Sequence, residues 1–376
     1  MRVTRLQLRD FRRFGEAGLE PGPGLNLVLG ANGAGKTTVL EALHLMAYGR
    51  SFRGRVRDGL VRHEAEALEV FVEWEQADAV GVPALRRAGL RHSGDAWTGR
   101  LDGRDVPQLG ELCAALAVVT FDPGSHALIS GAADNRRRFM DWGLFHVEHD
   151  FLLPWRRYAR ALRQRNALLK SGGSNAQLDA WDHELAEAGE LLTGFREGYL
   201  AALEPRLLDV AARLSASLPL QGLEFQPGWR RHELSLADAL LLGRDRDRAL
   251  GYTGVGPHRA DWRLRLAGLP GREALSRGQT KLAALAMLLA QGADFAVRRR
   301  HWPVMALDDL PSELDRDHQH RVLAFLEAQP GVQVLVTATE LPTVLAGHTA
   351  LPIHVFHVER GQIRAGQGGP GPGAPA

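Results

Sequence analysis

One stretch of eight residues constrains the fold of this 376-residue chain more than any other. Gly30-Ala31-Asn32-Gly33-Ala34-Gly35-Lys36-Thr37 fits the phosphate-loop pattern G-x-x-x-x-G-K-[ST] at every required position. Residues Leu25–Leu29 before it predict a buried strand, and Thr38–Ala47 after it predict a helix that ends before Gly49. A strand, a loop of this kind and a helix together indicate an α/β protein with a phosphate-binding site.

The residue types in this loop suit the phosphates of a nucleotide. Glycine residues allow successive backbone N–H groups to turn toward phosphate oxygens, and the helix adds the positive end of its dipole. Lys36 offers a cation to the β and γ phosphates, and Thr37 offers a hydroxyl ligand to Mg²⁺. We therefore predict ATP and Mg²⁺ as cofactors. The predicted nucleotide-binding residues of this stretch are Gly30, Ala31, Asn32, Gly33, Ala34, Gly35, Lys36, Thr37 and Thr38.

Composition narrows the class of protein. Hydrophobic residues make up 45% and charged residues 24% of the chain, as in ordinary globular proteins. The formal net charge is only +2, so binding to an anionic polymer would need local basic patches. The single cysteine, Cys113, excludes an intrachain disulfide. Because no run approaches 18 apolar residues, we expect neither a membrane span nor a membrane partner, and a cytoplasmic location.

The predicted elements divide the chain into an α/β head and an inserted helical block. Alternating residues in Met1–Leu8 predict an edge strand, and Leu68–Glu75 predicts a further strand of an antiparallel sheet beside the parallel core sheet. Helix formers dominate residues 125–218, which Pro205 interrupts. We predict a head formed by residues 1–124 and 219–364, a helical lobe over 125–218 without a long coiled coil, and a disordered Gly/Pro-rich tail over 365–376.

Three clusters of arginine are candidate polyanion-binding surfaces. They are Arg50–Arg57 beyond the first helix, Arg136–Arg138, and a series of five in the helical block: Arg156, Arg157, Arg160, Arg163 and Arg165. Clusters of this kind are more often solvated than functional. Several on one lobe favour nucleic acid as the partner.

Two later motifs complete the candidate site. Ser276-Arg277-Gly278-Gln279 precedes an apolar helix, where a hydroxyl and a bare N–H predict a second anion site. Val304–Leu307 predicts a buried strand that ends in Asp308 and Asp309. We assign Asp308 to Mg²⁺, through water, and Asp309 to the attacking water. The predicted catalytic residues are Asp309, Lys36 and Asp308, the metal-site residues are Thr37 and Asp308, and Ser276, Gly278 and Gln279 also bind nucleotide.

Each of these motifs has a simpler structural alternative. Ser-x-Gly-Gln at the start of a helix is usually only a helix cap, and Asp309 could cap a turn at the end of its strand. The order of the motifs favours the functional interpretation, because phosphate loop, Ser-x-Gly-Gln and Asp-Asp with Ser312-Glu313-Leu314-Asp315 resembles the ATP-binding-cassette (ABC) superfamily. The resemblance implies that two chains associate head to tail, with the signature of each capping the ATP of the other.

Within that superfamily the chain resembles the RecF family of the SMC-like ATPase branch. The resemblance rests on the motifs above and on Gly256-Pro257-His258-Arg259-Ala260-Asp261, and it covers nearly the whole chain. It implies an ABC-type ATPase head that binds double-stranded and gapped DNA, dimerises with ATP, and serves DNA repair and replication. It also implies partnership with RecR, and indirectly with RecO and RecA, in loading RecA at single-strand gaps.

The resemblance leaves turnover and class open. It implies a weak, DNA-stimulated ATPase. Asp309 stands where most transporter cassettes have Glu, and Thr337–Thr339 stand where they have His, so we predict slow hydrolysis. The alternatives are the nucleotide-binding subunit of a membrane transporter, a small-molecule P-loop kinase or NTPase, and a dimerisation protein that binds ATP without turnover.

Overall fold

The computed structural model describes residues 1–54, 59–77, 82–268, 275–345 and 350–366. Its strands are β1 (Arg2–Phe11), β2 (Phe14–Leu19), β3 (Gly24–Leu29), β4 (Leu68–Ala77), β5 (Pro83–His92), β6 (Trp97–Leu101), β7 (Arg104–Val106), β8 (Val118–Phe121), β9 (Leu220–Gln226), β10 (Asp261–Leu266), β11 (Val304–Leu307), β12 (Gln333–Ala338), β13 (Ile353–Glu359) and β14 (Gln362–Ala365).

The helices follow the same order along the chain. They are α1 (Lys36–Tyr48), α2 (Leu109–Ala115), α3 (Ala127–Ser130), α4 (Ala133–Val147), α5 (Leu152–Ser171), α6 (Asn175–Leu214), α7 (Leu236–Leu242), α8 (Arg244–Leu250), α9 (Arg277–Arg299), α10 (Leu310–Glu313) and α11 (Arg316–Glu327). The chain divides into unit 1 (Met1–Ser125, Ala212–Ser215, Leu285–Ala376) and unit 2 (His126–Ala211, Ala216–Ala284).

The core of unit 1 is a six-stranded sheet in the order β14-β13-β3-β12-β11-β8. All pairs from β13 to β8 are parallel, and β14 is antiparallel to β13. Every residue of β3, β8, β11 and β12 is buried. A parallel sheet covered on both faces needs such largely apolar strands, which is why β3 and β11 could be predicted from their sequences.

A second, antiparallel sheet of unit 1 has the order β2-β1-β4-β5-β6-β7. It confirms the predicted strand at Leu68–Glu75. Asp102-Gly103 forms the hairpin turn between β6 and β7, with φ angles of 51° and 81°. The prediction that Met1–Leu8 forms an edge strand is wrong, because β1 pairs with both β2 and β4. Its polar residues Arg5, Gln7 and Arg9 are exposed because they lie on the outer face of the sheet.

Unit 2 contains α5, the long helix α6 and the two-stranded sheet β9–β10. The prediction that Pro205 interrupts the helical block is wrong, because the 40-residue helix α6 runs through it. Apolar residues recur at three to four positions along this helix, where Leu178, Leu185, Ala188 and Leu192 are at most 1% exposed and Trp181 is half-buried, so they form a packed face.

The predicted domain boundaries stay a prediction. Unit 2 contains residues 219–284, which the motifs assign to the head, so the division by compactness differs from the motif-based one. Ala365 ends β14, and residues 367–376 of the predicted tail lie outside the described residues.

Among the described residues, one helix has the length and composition to cross a bilayer. This helix is α9, and 78% of its most apolar window is buried inside the protein. Its sequence is not an uninterrupted apolar run, because Gln291 and Asp294 divide its apolar residues. Such burial is typical of a core helix of a globular protein.

Candidate nucleotide site

The candidate site of unit 1 lies where neighbouring parallel strands end. The phosphate loop follows β3, Thr337 is near the end of β12, Asp308 and Asp309 follow β11, and Asp122 follows β8. These four strands are adjacent in the sheet, so their carboxyl ends meet at one edge. Ligands of open α/β sheets bind at this edge.

Steric constraints explain two glycines of the loop. A Cβ atom at Gly30 would approach the backbone oxygen of Val358 to 2.4 Å. Gly35 has φ +116°, and a Cβ atom there would lie 2.9 Å from the Phe14 ring. The Lys36 ammonium donates to the carbonyl oxygens of Gly30 (2.8 Å) and Ala31 (3.1 Å), so the loop curls around it. The backbone can therefore adopt the tight turn that a phosphate cradle requires.

The two predicted metal-site residues lie in direct contact. The Thr37 hydroxyl donates to Asp308 Oδ1 at 2.9 Å, although the two residues are 271 positions apart. Burial raises the pKa of Asp308, the charges of Asp122 and Asp309 add to the rise, and hydroxyl donors oppose it. A bound cation would favour the charged carboxylate. The donor set therefore fits Mg²⁺, which prefers oxygen ligands.

The protein does not supply a complete metal cage. Within the described ranges, no group of three or more His, Cys, Asp or Glu residues could hold a metal ion. Mg²⁺ bound by Thr37 and Asp308 would need phosphate oxygens and waters to complete its shell, as is usual where this ion binds together with a nucleotide.

The Thr337 hydroxyl connects the Asp308 carboxylate with the backbone of Asp309. It donates to Asp308 Oδ1 (2.7 Å) and accepts the backbone N–H of Asp309 (2.8 Å), and the residue is fully buried. Asp309 has the left-handed angles φ 50° and ψ 35°, which are uncommon for a residue other than glycine. The hydrogen bond from the Asp309 N–H to the Thr337 hydroxyl holds this conformation. The sequence predicted hydroxyls at this strand end but not that one of them would join both aspartates.

We expect this connection to be measurable as a coupling energy. In a double-mutant cycle of Thr337→Val and Asp308→Ala, urea unfolding should give a coupling of about 1–3 kcal/mol, the size of a buried hydrogen bond to a charged group. Valine retains the shape of threonine, so the cycle isolates the hydroxyl. Additive effects of the two substitutions would contradict the connection.

A strained hairpin brings two arginines to the site. Asp10, near the end of β1, and Arg12, in the turn between β1 and β2, have φ angles of 49° and 56°. Arg12 makes a two-point ion pair with the fully buried Glu41 of α1, at 2.8 and 2.6 Å. Ser51 also donates to Glu41. Arg13 is thereby placed to donate to the carbonyl of Gly33 in the phosphate loop, at 3.1 Å.

These groups enclose an open cleft of about 660 Å³. The predicted site residues that line it are Asn32, Gly33, Gly35, Lys36, Thr37, Thr38, Asp308 and Asp309. The cleft is also lined by residues that were not predicted as site residues, namely Arg12, Arg13, Phe52, Arg53, Asp122, Pro123, Gly124 and Thr337. Gly30, Ala31 and Ala34 belong to the same loop turn. A concavity of about 1290 Å³ on the outer face of the antiparallel sheet is larger, but no phosphate-loop residue lines it. We therefore place the candidate site in the smaller cleft.

The Ser-x-Gly-Gln motif begins α9 in unit 2. Ser276 Oγ accepts the N–H of Gln279 (3.2 Å), and Gln279 Oε1 accepts the N–H of Ser276 (3.0 Å). This is a capping box, as the simpler alternative expects. Ser276 and Gly278 are nevertheless exposed, and a Cβ atom at Gly278 would meet nothing within 4 Å. The Ser276 hydroxyl accepts in the cap, so its proton can still be donated to an anion.

The Gly256–Asp261 element is an anchored turn of unit 2. The Tyr158 hydroxyl lies 2.7 Å from His258 Nδ1, and Arg196 donates to the carbonyl of Pro257 at 2.7 Å. Burial lowers the pKa of His258 to about 4, so its ring is neutral at pH 7. The element therefore stabilises the unit through hydrogen bonds rather than through a charged histidine.

The structure distinguishes buried from accessible arginines in the predicted basic clusters. Arg136 is 2% exposed and pairs with Asp261 at 2.5 Å, and Arg165 is fully buried, so neither can contact a polymer. Arg53 lines the cleft of unit 1. Residues 55–57 of the first cluster lie outside the described residues.

Comparison with known proteins gives a consistent family. The family described as "RecF/RecN/SMC N terminal domain" matches residues 2–364. The chain is 64% identical to the DNA replication and repair protein RecF of Stenotrophomonas maltophilia, over 97% of this chain and 100% of the relative. It is 38% identical to RecF of Stutzerimonas stutzeri, over 96% and 97% of the two chains.

Solved structures agree on the fold. A structure of the recombination mediator protein RecF with ATP, in the RecFOR pathway, superposes with a TM-score of 0.83 at 24% identity and covers 97% of both chains. A structure of an Smc head bound to the C-terminal winged-helix domain of ScpA gives 0.55 at 16% identity and covers 97% of both chains. These likenesses confirm the ABC-type head fold and do not favour the transporter alternative. This chain belongs to the RecF family of DNA replication and repair proteins.

Proposed function

We propose that this protein is an ATP-dependent DNA-binding protein of recombinational repair, in which ATP drives head-to-tail dimerisation and slow hydrolysis reverses it. The observation that carries the proposal is the contact between Thr37 and Asp308 beneath the phosphate loop. It joins two motifs from opposite ends of the chain into one arrangement that suits a nucleotide with Mg²⁺. The relatives named RecF act in DNA replication and repair, and one was solved with ATP.

Each residue has a distinct role in the proposed site. Backbone N–H groups of residues 30–38 bind phosphate oxygens, and the Lys36 ammonium neutralises the β and γ phosphates. Thr37 and Asp308 would hold Mg²⁺, which supplies charge neutralisation on the phosphates. Asp309 orients the attacking water and accepts its proton. Thr337 holds both aspartates in position through its hydroxyl.

The second half of the site would come from another copy of the chain. Ser276 and Gly278 are exposed at the start of α9, where the N–H groups and the helix dipole favour an anion. Gln279 completes the capping box that fixes Ser276. In a head-to-tail dimer these residues would contact the γ phosphate of the partner's ATP. The free energy of that contact would make dimerisation depend on ATP.

DNA and the repair proteins are the proposed partners. RecR is the expected direct protein partner, with RecO and RecA acting through it, and the preferred substrate is double-stranded or gapped DNA. Since DNA lies in the bacterial cytoplasm, we propose that location. Because phosphate contacts release counterions, DNA affinity should fall steeply as salt rises.

A DNA titration with and without ATP tests the proposal. Duplex, single-stranded and gapped duplex DNA carrying a fluorophore are titrated with the protein and Mg²⁺, and light scattering reports its mass. We expect ATP to produce dimers and to tighten binding to duplex and gapped DNA. In the Ser276→Arg variant a bulky cation occupies the cap position, so ATP should still bind each chain while the ATP-induced dimer is lost.

The outcomes separate the parts of the proposal. Wild-type protein that stays monomeric at saturating ATP and Mg²⁺, or Ser276→Arg dimers equal to those of wild type, would refute the composite site. A flat salt response of DNA affinity would refute polyanion binding. Arg277→Ala, an exposed neighbour of the same motif that makes no predicted phosphate contact, serves as the matched control.

A further inference from the structure

Glu41 is a buried carboxylate one helical turn below the phosphate loop. It lies four residues after Thr37 on α1, so the two side chains lie on the same face of the helix. The side chain of Glu41 is fully buried, and a buried charge is strongly unfavourable unless its partners neutralise it. Because it is buried, Glu41 cannot touch a nucleotide itself and can act on the cleft only through its partners.

The Glu41 carboxylate joins two other segments of the chain to α1. Arg12, in the turn between β1 and β2, donates to both carboxylate oxygens, at 2.8 and 2.6 Å. Ser51, beyond the end of α1, donates its hydroxyl to one of the same oxygens. These partners lie 29 positions before and 10 positions after Glu41, so one side chain fixes two segments that are remote in sequence.

The first of these segments brings Arg13 to the nucleotide cleft. Arg12 has φ 56°, which is uncommon for a residue other than glycine, and its ion pair with Glu41 stabilises this conformation. The next residue, Arg13, is exposed, lines the cleft and donates to the carbonyl of Gly33 at 3.1 Å. A carbonyl group carries no net charge, so this hydrogen bond does not neutralise the guanidinium.

The second segment brings Arg53 to the same cleft. Ser51 Oγ accepts the backbone N–H of Arg53 at 2.9 Å. The Phe52 ring meets the His44 ring of α1 edge-on, with ring centroids 5.1 Å apart. Phe52 and Arg53 both line the cleft. The hydrogen bond between Ser51 and Glu41 therefore fixes the start of a short segment that forms part of the cleft wall.

We propose that Glu41 is a positioning residue of the nucleotide cleft, which holds Arg13 and Arg53 where they face the phosphates of bound ATP. This inference rests on the proposed function and deepens it. Guanidinium groups bind phosphate oxygens at two points. An arginine that is already held in place gains more affinity than a mobile one, because less conformational freedom is lost on binding.

The sign of the effect of Glu41→Gln separates positioning from simple charge. Glutamine has the size of glutamate, but its amide Nε2 is a donor and would meet an N–H donor of Arg12. Removing a negative charge near an anionic ligand would by itself tighten ATP binding. Displacing the two arginine-bearing segments would weaken it. We expect about tenfold weaker ATP binding, the scale of one charge-assisted hydrogen bond.

The test uses full-length protein with Mg²⁺. Titration of a fluorescent ATP analogue measures affinity, and single-turnover hydrolysis at saturating ATP measures the chemical step. Positioned arginines that bind the ground state and the transition state alike should leave the rate for bound ATP within about twofold of wild type. Partial unfolding would instead lower the number of binding sites. Ser51→Ala, which keeps the Arg12 pair, should weaken ATP binding by about threefold.

A double-mutant cycle identifies the residues through which Glu41 acts. In the Arg13→Ala/Arg53→Ala background, Glu41→Gln should change ATP affinity by less than about twofold, because the groups that it positions are already absent. The matched control is Asp294→Asn. Asp294 is also a buried carboxylate of unit 1 and pairs with Arg298 at 2.9 Å, but it lies on α9. This control should lower the melting temperature without changing ATP affinity.

The outcomes distinguish this inference from the proposed function. Unchanged or tighter ATP binding in Glu41→Gln, or additive effects in the cycle, overturns the positioning role alone. If Glu41→Gln does not fold, Ser51→Ala decides, and wild-type ATP affinity in that variant overturns the role. Wild-type protein that binds no ATP overturns the proposed function and this inference with it.

Discussion

Replacing Lys36 with methionine is expected to weaken ATP binding by about 10- to 100-fold, the equivalent of losing a charge-assisted hydrogen bond of about 1.5–3 kcal/mol. Turnover should fall further, by about 10²–10³-fold, because the ammonium also stabilises charge that develops on the transferred phosphate. The side chain is 8% exposed and lies over the loop, where it donates to Gly30 and Ala31. Equilibrium binding of a fluorescent ATP analogue and a phosphate-release assay measure the two effects.

The matched control is Lys170→Met. This lysine is exposed at the end of α5 in unit 2 and has no part in the proposed nucleotide site. It should leave ATP affinity unchanged. Wild-type ATP affinity in Lys36→Met would place the nucleotide somewhere other than the phosphate-loop cleft.

Asp309→Asn is expected to reduce ATP hydrolysis by about 10²–10⁴-fold while ATP binding is retained, which is the range for loss of a general base. Asparagine tolerates the left-handed backbone at this position and retains the size of aspartate, but it cannot accept the proton. The ATP-bound dimer should therefore persist on DNA. Single-turnover hydrolysis and the dimer lifetime by light scattering measure both results.

Asp122 provides the comparison for this prediction. It also lines the cleft, but its carboxylate accepts the Gly124 N–H (2.6 Å) and the Ser125 hydroxyl (3.0 Å) within its own turn. Asp122→Asn should therefore affect turnover much less. Normal ATP turnover in Asp309→Asn together with loss of turnover in Asp122→Asn would identify Asp122 as the general base instead.

Local sequence patterns predicted the parts of the structure that depend on neighbouring residues. The apolar runs of β3 and β11, the phosphate loop and α1 all lie close to their expected positions. A short continuous apolar run suits a strand that is buried on both faces, as the strands of a parallel sheet are, so the pattern indicates the fold class. The capping box at Ser276 is likewise local, because its two hydrogen bonds join residues three positions apart.

Sequence patterns gave wrong predictions where contacts with another strand or helix determined the structure. Alternation in β1 indicates one exposed face, but it cannot show whether one or two strands pair at the edges. Pro205 removes a backbone donor and would normally end a helix, yet α6 continues through it. Packing of a long buried face can exceed the local cost of a proline, which host–guest propensities do not contain.

The arginines illustrate the same limit. Within α5, Arg160 and Arg165 look alike in the sequence, but one is exposed and the other is fully buried. Their difference comes from Asp182 and Asp247, which are 17 and 82 positions away from Arg165. Without those partners a buried arginine would be strongly unfavourable.

The sequence by itself determined the chemical parts of this protein: a phosphate loop, a strand ending in two carboxylates, a helix that begins with a serine cap, and the family to which these belong. The tertiary structure decided how the parts meet. It joined Thr37 to Asp308, made Thr337 the link between both aspartates, and separated structural arginines from exposed ones. The physical reason is that hydrogen bonds and ion pairs depend on distances of a few ångströms, and chain folding sets those distances between residues that are remote in sequence.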